Sequence, residues 1–124
     1  MAKRSPLPTA YPSIPSGVWT KVTTIPGTAQ LGRAIVNFDA TNTYRYLILV
    51  KPSGVTDAAW QTYITATYGG SAATTSGKPL APAATAGVAG DQYNETYDDL
   101  TTGDIWVYHG SGGALTTLAV DEGR

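Results

Sequence analysis

Cysteine is absent from this chain, which excludes a disulfide framework and every chemistry that needs a thiolate. Charge is scarce too. Only 14% of residues are charged and the formal net charge is -1, so the excess of Lys and Arg that neutralises duplex phosphates is missing and no nucleic-acid partner is expected. No apolar run approaches the roughly 20 residues of a transmembrane helix. The opening MAKRSPLPTAYPSIP is basic but lacks the apolar segment of an export signal. The reading is a soluble chain, made in a cytoplasm, with no membrane partner.

What is present fits one domain, because 124 residues match the usual domain size of roughly 100 to 150. The chain divides at about Gly17 into an arm, residues 1–17, and a body, residues 18–124. Pro6, Pro8, Pro12 and Pro15 are half of the eight prolines, and their spacing permits neither a helix ladder nor a central strand in the arm. The arm is therefore extended. Leu7, Tyr11 and Ile14 give it apolar side chains to bury, and they are the expected partner-binding residues. On this reading the arm orders on a neighbouring subunit, its prolines lower the entropy lost on docking, and its deletion leaves the fold intact.

The body reads as strand after strand. Residues 18–25 (VWTKVTTI) are rich in β-branched side chains and stop at Pro26-Gly27, and 33–38 (RAIVNF) follow. Residues 44–50 (YRYLILV) form the strongest apolar run and predict a central strand covered on both faces. VTDAAW from Val55 predicts a single helical turn with Thr56 or Asp57 as N-cap, and no longer helix is expected. Residues 61–68 (QTYITATY) alternate as a strand with Thr62, Ile64, Ala66 and Tyr68 on one face. The small-residue stretch 69–90 predicts a long loop with a short edge strand near Leu80 or Val88, and another strand begins at Gln92 and runs to Tyr97. In the last quarter, Ile105 and Val107 alternate with Trp106 and Tyr108, and Leu115, Leu118 and Val120 follow after Gly110, Gly112 and Gly113. That pattern predicts a closing hairpin whose glycines take positive φ. The fold class is all-β, a β-sandwich or jelly roll of about seven to eight strands with an extended N-terminal arm.

Chemistry-bearing residues are few. Asp91, Glu95, Asp98, Asp99 and Asp104 offer hard oxygen ligands, but their spacing is not that of an EF-hand and Asp is favoured in turns for backbone reasons. His109, the sole histidine, lies beside Ser111 and five residues after Asp104; a Ser-His-Asp relay needs side chains converging from separate elements, and these share one segment. His109 is read as a tip or core histidine. Trp19, Trp60 and Trp106 are candidates for stacking on a sugar, with Trp60 the best exposed, although aromatics in strands more often pack a core or an interface. The Gly-rich pieces GSGG and YGGS lack the lysine and helix of a phosphate loop. No catalytic residue, metal or cofactor is expected, and the chain is not read as an enzyme.

The order of features resembles that of small virion structural proteins of tailed bacteriophages. The resemblance rests on the proline-bearing arm, TIPGTAQL (24–31), YLILV, GKPLAPAATAG and the final GDIWVYHGSGGALTTLAVDE, and it covers most of residues 18–122. The long 69–90 loop departs from it and leaves the exact family open. Proteins of this kind decorate or cement the capsid shell, or form parts of neck and tail, usually as homo-oligomers and often as trimers. What the resemblance implies is a capsid decoration or cement protein of the virion, partnered with the major capsid protein or other virion proteins. A tail, neck or fibre-attachment component is the nearest alternative, and a carbohydrate-binding β-sandwich module is the alternative from another class.

Overall fold

The computed structural model of the chain describes residues 9–23, 32–38, 46–52, 54–69, 78–80, 90–95, 103–110 and 113–123. In order along the chain these form β1 (Thr20–Lys21), β2 (Gly32–Asn37), β3 (Tyr46–Val50), α1 (Asp57–Tyr68), β4 (Lys78–Leu80), β5 (Gln92–Glu95), β6 (Ile105–Tyr108) and β7 (Leu118–Gly123). The strands make two antiparallel sheets, one of order β1-β6-β3-β4 and one of order β5-β2-β7. The fold is mostly strand. Expected strands at 18–25, 33–38, 44–50 and 92–97 each overlap one of these elements, and the short strand expected near Leu80 is β4, on the edge beside β3. Thr24, Ile25, Tyr97 and Val88 lie outside the described residues.

Alternation along β3 and β6 decides where the core sits. Tyr46, Ile48, Ile105 and Val107 join Ile35 of β2 and Leu118 and Val120 of β7 in one apolar cluster that draws on both sheets. Leu47 and Trp106, pointing the other way, join Trp19, Trp60 and Ile64 in a second cluster beneath α1. Both faces of β3 are thus covered, which is why its sequence is a continuous apolar run. Burying each of these aliphatic side chains contributes about 1.5–3 kcal/mol relative to exposure.

α1 corrects two sequence expectations, a single turn at Val55 and a strand over 61–68. The helix starts where the Thr56 hydroxyl accepts from the Ala59 N–H at 3.2 Å, with Asp57 in its first turn. It stops at Gly69, whose N–H donates to the Thr65 carbonyl at 3.2 Å. Trp60 and Ile64 are buried and Tyr68 is half-buried, a stripe spaced by four residues. Thr62 and Ala66, assigned to the same face as Ile64 by strand alternation, are exposed. Trp60 lies just before the alternating stretch 61–68, and without it the helical period is invisible.

A closing hairpin is not what forms. β6 pairs with β1 and β3, whereas β7 pairs with β2 in the other sheet. Ile105 and Val107 meet Leu118 and Val120 across the core instead of lying beside them as ladder partners. Alternation specifies which face a side chain takes, and leaves the partner strand open. Among the described residues the glycines with positive φ are Gly17 (76°) and Gly54 (82°); Gly110 and Gly113 do not adopt it, and Gly112 lies outside the described residues.

The arm, described from Thr9 onward, lies on its own chain. Ala10 bridges Val120 of β7, and Ile14 bridges Leu115, both antiparallel. Ile14 is fully buried in the cluster shared by the two sheets. Its side chain fills this domain's own core and cannot serve a neighbour while it does so, and deletion of the arm would open that core.

Candidate functional site

Among the described residues, Lys21, Arg33, Lys51, Asp57 and Asp104 are linked at one corner. Register places Lys21 opposite Trp106 and Val50 opposite Ile105, so the ends of β1 and β3 meet the start of β6 at Gly103 and Asp104. The Thr23 hydroxyl donates to Asp104 Oδ1 at 3.1 Å and accepts the Ile105 N–H at 3.0 Å. Lys51 donates its backbone N–H to the Asp104 carbonyl at 2.9 Å. From the second sheet, Arg33 Nη2 donates to the Gly103 carbonyl at 2.6 Å, and Glu122 stands directly across from Arg33 on β7. Arg33 and Glu122 are both buried. Asp57, at the start of α1, receives Lys21 Nζ at 2.9 Å and Lys51 Nζ at 2.7 Å.

Hydrogen bonding to the Lys51 ammonium, then to Lys21, holds the Asp57 carboxyl below its usual range, and the bond to Asp57 raises Lys21. A lowered carboxylate stabilises the fold fully above its unfolded value and loses that contribution as pH falls through the folded value. A raised lysine stabilises fully below its unfolded value and loses that contribution as pH rises through the folded one. The difference in unfolding free energy between parent and Asp57→Asn is therefore expected to be flat across neutral pH, to begin to fall as pH drops toward about 4, and to vanish only below the lowered folded value. Asp57 is half-exposed, so the difference should be at most about 1 kcal/mol and should shrink with added salt; urea titrations at several pH values measure it.

Here Lys21 and Lys51 are occupied with Asp57 and Arg33 with a carbonyl oxygen, and the Thr23 hydroxyl ties Asp104 to the Ile105 N–H. The corner clamps β1, β3, β6 and α1 together. Among the described residues no three His, Cys, Asp or Glu side chains are placed to hold a metal ion. Nor, among them, is any helix long and apolar enough to cross a membrane.

Of the expected partner-binding residues, Leu7 lies outside the described residues, Tyr11 is 54% exposed and Ile14 is 0% exposed. Tyr11 faces outward and Ile14 inward, so these two do not form one patch. His109 is a core histidine, with Nε2 at 2.5 Å from the Ile14 carbonyl oxygen and its ring edge-on to Tyr46 at 5.6 Å. The whole of β6 separates it from Asp104, and Ser111 lies outside the described residues, so no relay is assembled. Asp91 is exposed, and Asp98 and Asp99 lie outside the described residues.

The three tryptophans are buried in the cluster under α1, Trp60 included, which corrects its expected exposure. None offers an open face for a sugar. Among the described residues, the exposed large apolar side chains are instead Tyr11, Val18 and Tyr63. The sequence offers Asp57 only as a helix cap, and nothing local marks Lys21, 36 positions away, as its ion-pair partner; the scarcity of charge is the one signal that the few charges present are put to use. No family model, no curated protein and no solved structure matches this chain.

Proposed function

We propose that this chain is a virion structural protein of a tailed bacteriophage, a capsid decoration or cement protein that bridges capsomers through binding alone. The two sheets are read as the halves of a β-sandwich, the major capsid protein as the partner, and a homo-oligomer, a trimer in the resemblance, as the working unit. The observation that carries the reading is the distribution of charge. Lys21, Lys51, Asp57 and Asp104 are engaged with one another or with Thr23 at one corner, and the outward side of α1 beyond Asp57 carries only uncharged residues, among them Ala59, Thr62, Tyr63 and Ala66. Surfaces depleted of Lys, Asp and Glu and bearing exposed tyrosine are what interface cores are made of. Many weak copies on a lattice then hold a shell with high avidity.

Mixing the purified protein with phage heads that lack it, then pelleting the heads, tests this. Saturable co-sedimentation at a fixed ratio to shell subunits is the expected result. No co-sedimentation with heads, or attachment to tails only, would overturn the decoration role.

A further inference from the structure

The contacts that hold the arm are ones a second copy of the chain can supply unchanged. Ala10 exchanges two backbone hydrogen bonds with Val120 (3.0 and 2.8 Å), and Ile14 exchanges two with Leu115 (2.9 and 3.0 Å). The Thr9 hydroxyl donates to Asp121 Oδ1, and His109 Nε2 holds the Ile14 carbonyl oxygen. Every one of these joins residues 9–14 to residues 109–121, segments about 95 to 112 positions apart in the chain. The turn at Gly17, whose φ is +76°, leads from the arm into the body, and its N–H also reaches across the chain, donating to the His109 carbonyl at 2.9 Å.

Two further observations point the same way. Pro12 and Pro15 keep the arm extended whether it is seated or not, so leaving one seat for an identical one costs little chain entropy. Tyr11 and Val18, two of the three exposed large apolar side chains among the described residues, belong to the arm and its hinge: Tyr11 follows the Ala10 bridge and Val18 follows Gly17. They sit on the segment that would run beside a second copy.

We propose that the arm exchanges between copies: residues 9–15 of one chain seat against Leu115 and Val120 of another, the exchange is reciprocal, and Tyr11 and Val18 are covered where the two arms cross. The stretch from Gly17 back to Ala10 reaches about 23 Å when extended, enough to cross to an adjacent subunit. Seated contacts are the same in both forms, so the balance is set by the hinge, the newly covered side chains and the cost of association, and exchange rises with concentration. The proposal needs no virion partner and goes beyond the decoration reading.

The absence of cysteine makes the test direct. Thr9→Cys protein and Asp121→Cys protein are mixed in equal amounts, unfolded, refolded together at high concentration and oxidised. Exchange predicts disulfide dimers joining one variant to the other, in excess over the two like-with-like dimers combined by about fivefold, equivalent to about 1 kcal/mol of preference. A statistical mixture, or no mixed dimer at all, overturns the proposal. Sedimentation of the unaltered chain gives a second reading that no substitution can compromise: a dimer fraction that grows with concentration is expected, and a monomer at every soluble concentration overturns it. Either result is obtained without phage particles, so it stands or falls separately from head binding.

Discussion

Val107→Asp is expected to leave no folded protein. Val107 is 0% exposed, lies opposite Ile48 on β3 and Thr20 on β1, and belongs to the cluster that draws on both sheets. An unpaired carboxylate there must give up its hydration with nothing in return, at a cost of several kcal/mol, against a total stability of roughly 5–15 kcal/mol for a domain. Truncation without charge is a different matter. Val107→Ala removes two methyl groups' worth of burial and leaves a small cavity, about 2 kcal/mol in all, so this variant should fold and melt earlier. Far-UV circular dichroism and a thermal melt of both variants make the comparison. Parent-like melting of Val107→Asp would mean that β6 does not face the second sheet.

Gly103→Ala should be nearly as damaging, for a reason that has nothing to do with hydrophobicity. A Cβ at Gly103 would lie on the Lys51 carbonyl oxygen, and the obstacle is backbone, which has no rotamer to move aside. The same residue gives its carbonyl to Arg33 Nη2, so moving the loop also disturbs a hydrogen bond to a buried guanidinium. The expected loss is about 3 kcal/mol or more, a fall of roughly 10 °C or more in Tm. Gly113→Ala is the control, since a Cβ there meets nothing within 4 Å. It should melt close to the parent.

Strand positions were legible in the sequence where one pattern served one purpose. YLILV announced a strand with two covered faces, and Ile105 to Tyr108 announced its own division between the two clusters. The helix was not legible. Threonines at 62, 65 and 67 imitate strand alternation, and a stripe of Trp60, Ile64 and Tyr68 is too narrow to stand out from that background. Pairing was not legible either, because Leu118 and Val120 keep the same inward direction beside β2 as they would beside β6. The arm shows the same limit in another form: Leu7, Tyr11 and Ile14 say that something is to be buried, and not whose core receives it. Lys21, Lys51, Asp57 and Asp104 become one corner only after β1, β3 and β6 are laid side by side, a relation of topology that local spacing does not carry.

The claim at the centre of this account is that the chain works as a repeated building unit of a phage particle. Quantitative mass spectrometry of extensively washed particles, purified from a lysate in which the chain is expressed, tests that most directly. The account predicts many copies per particle in a fixed ratio to the major shell protein. A chain abundant in the lysate and absent from the washed particles would contradict it.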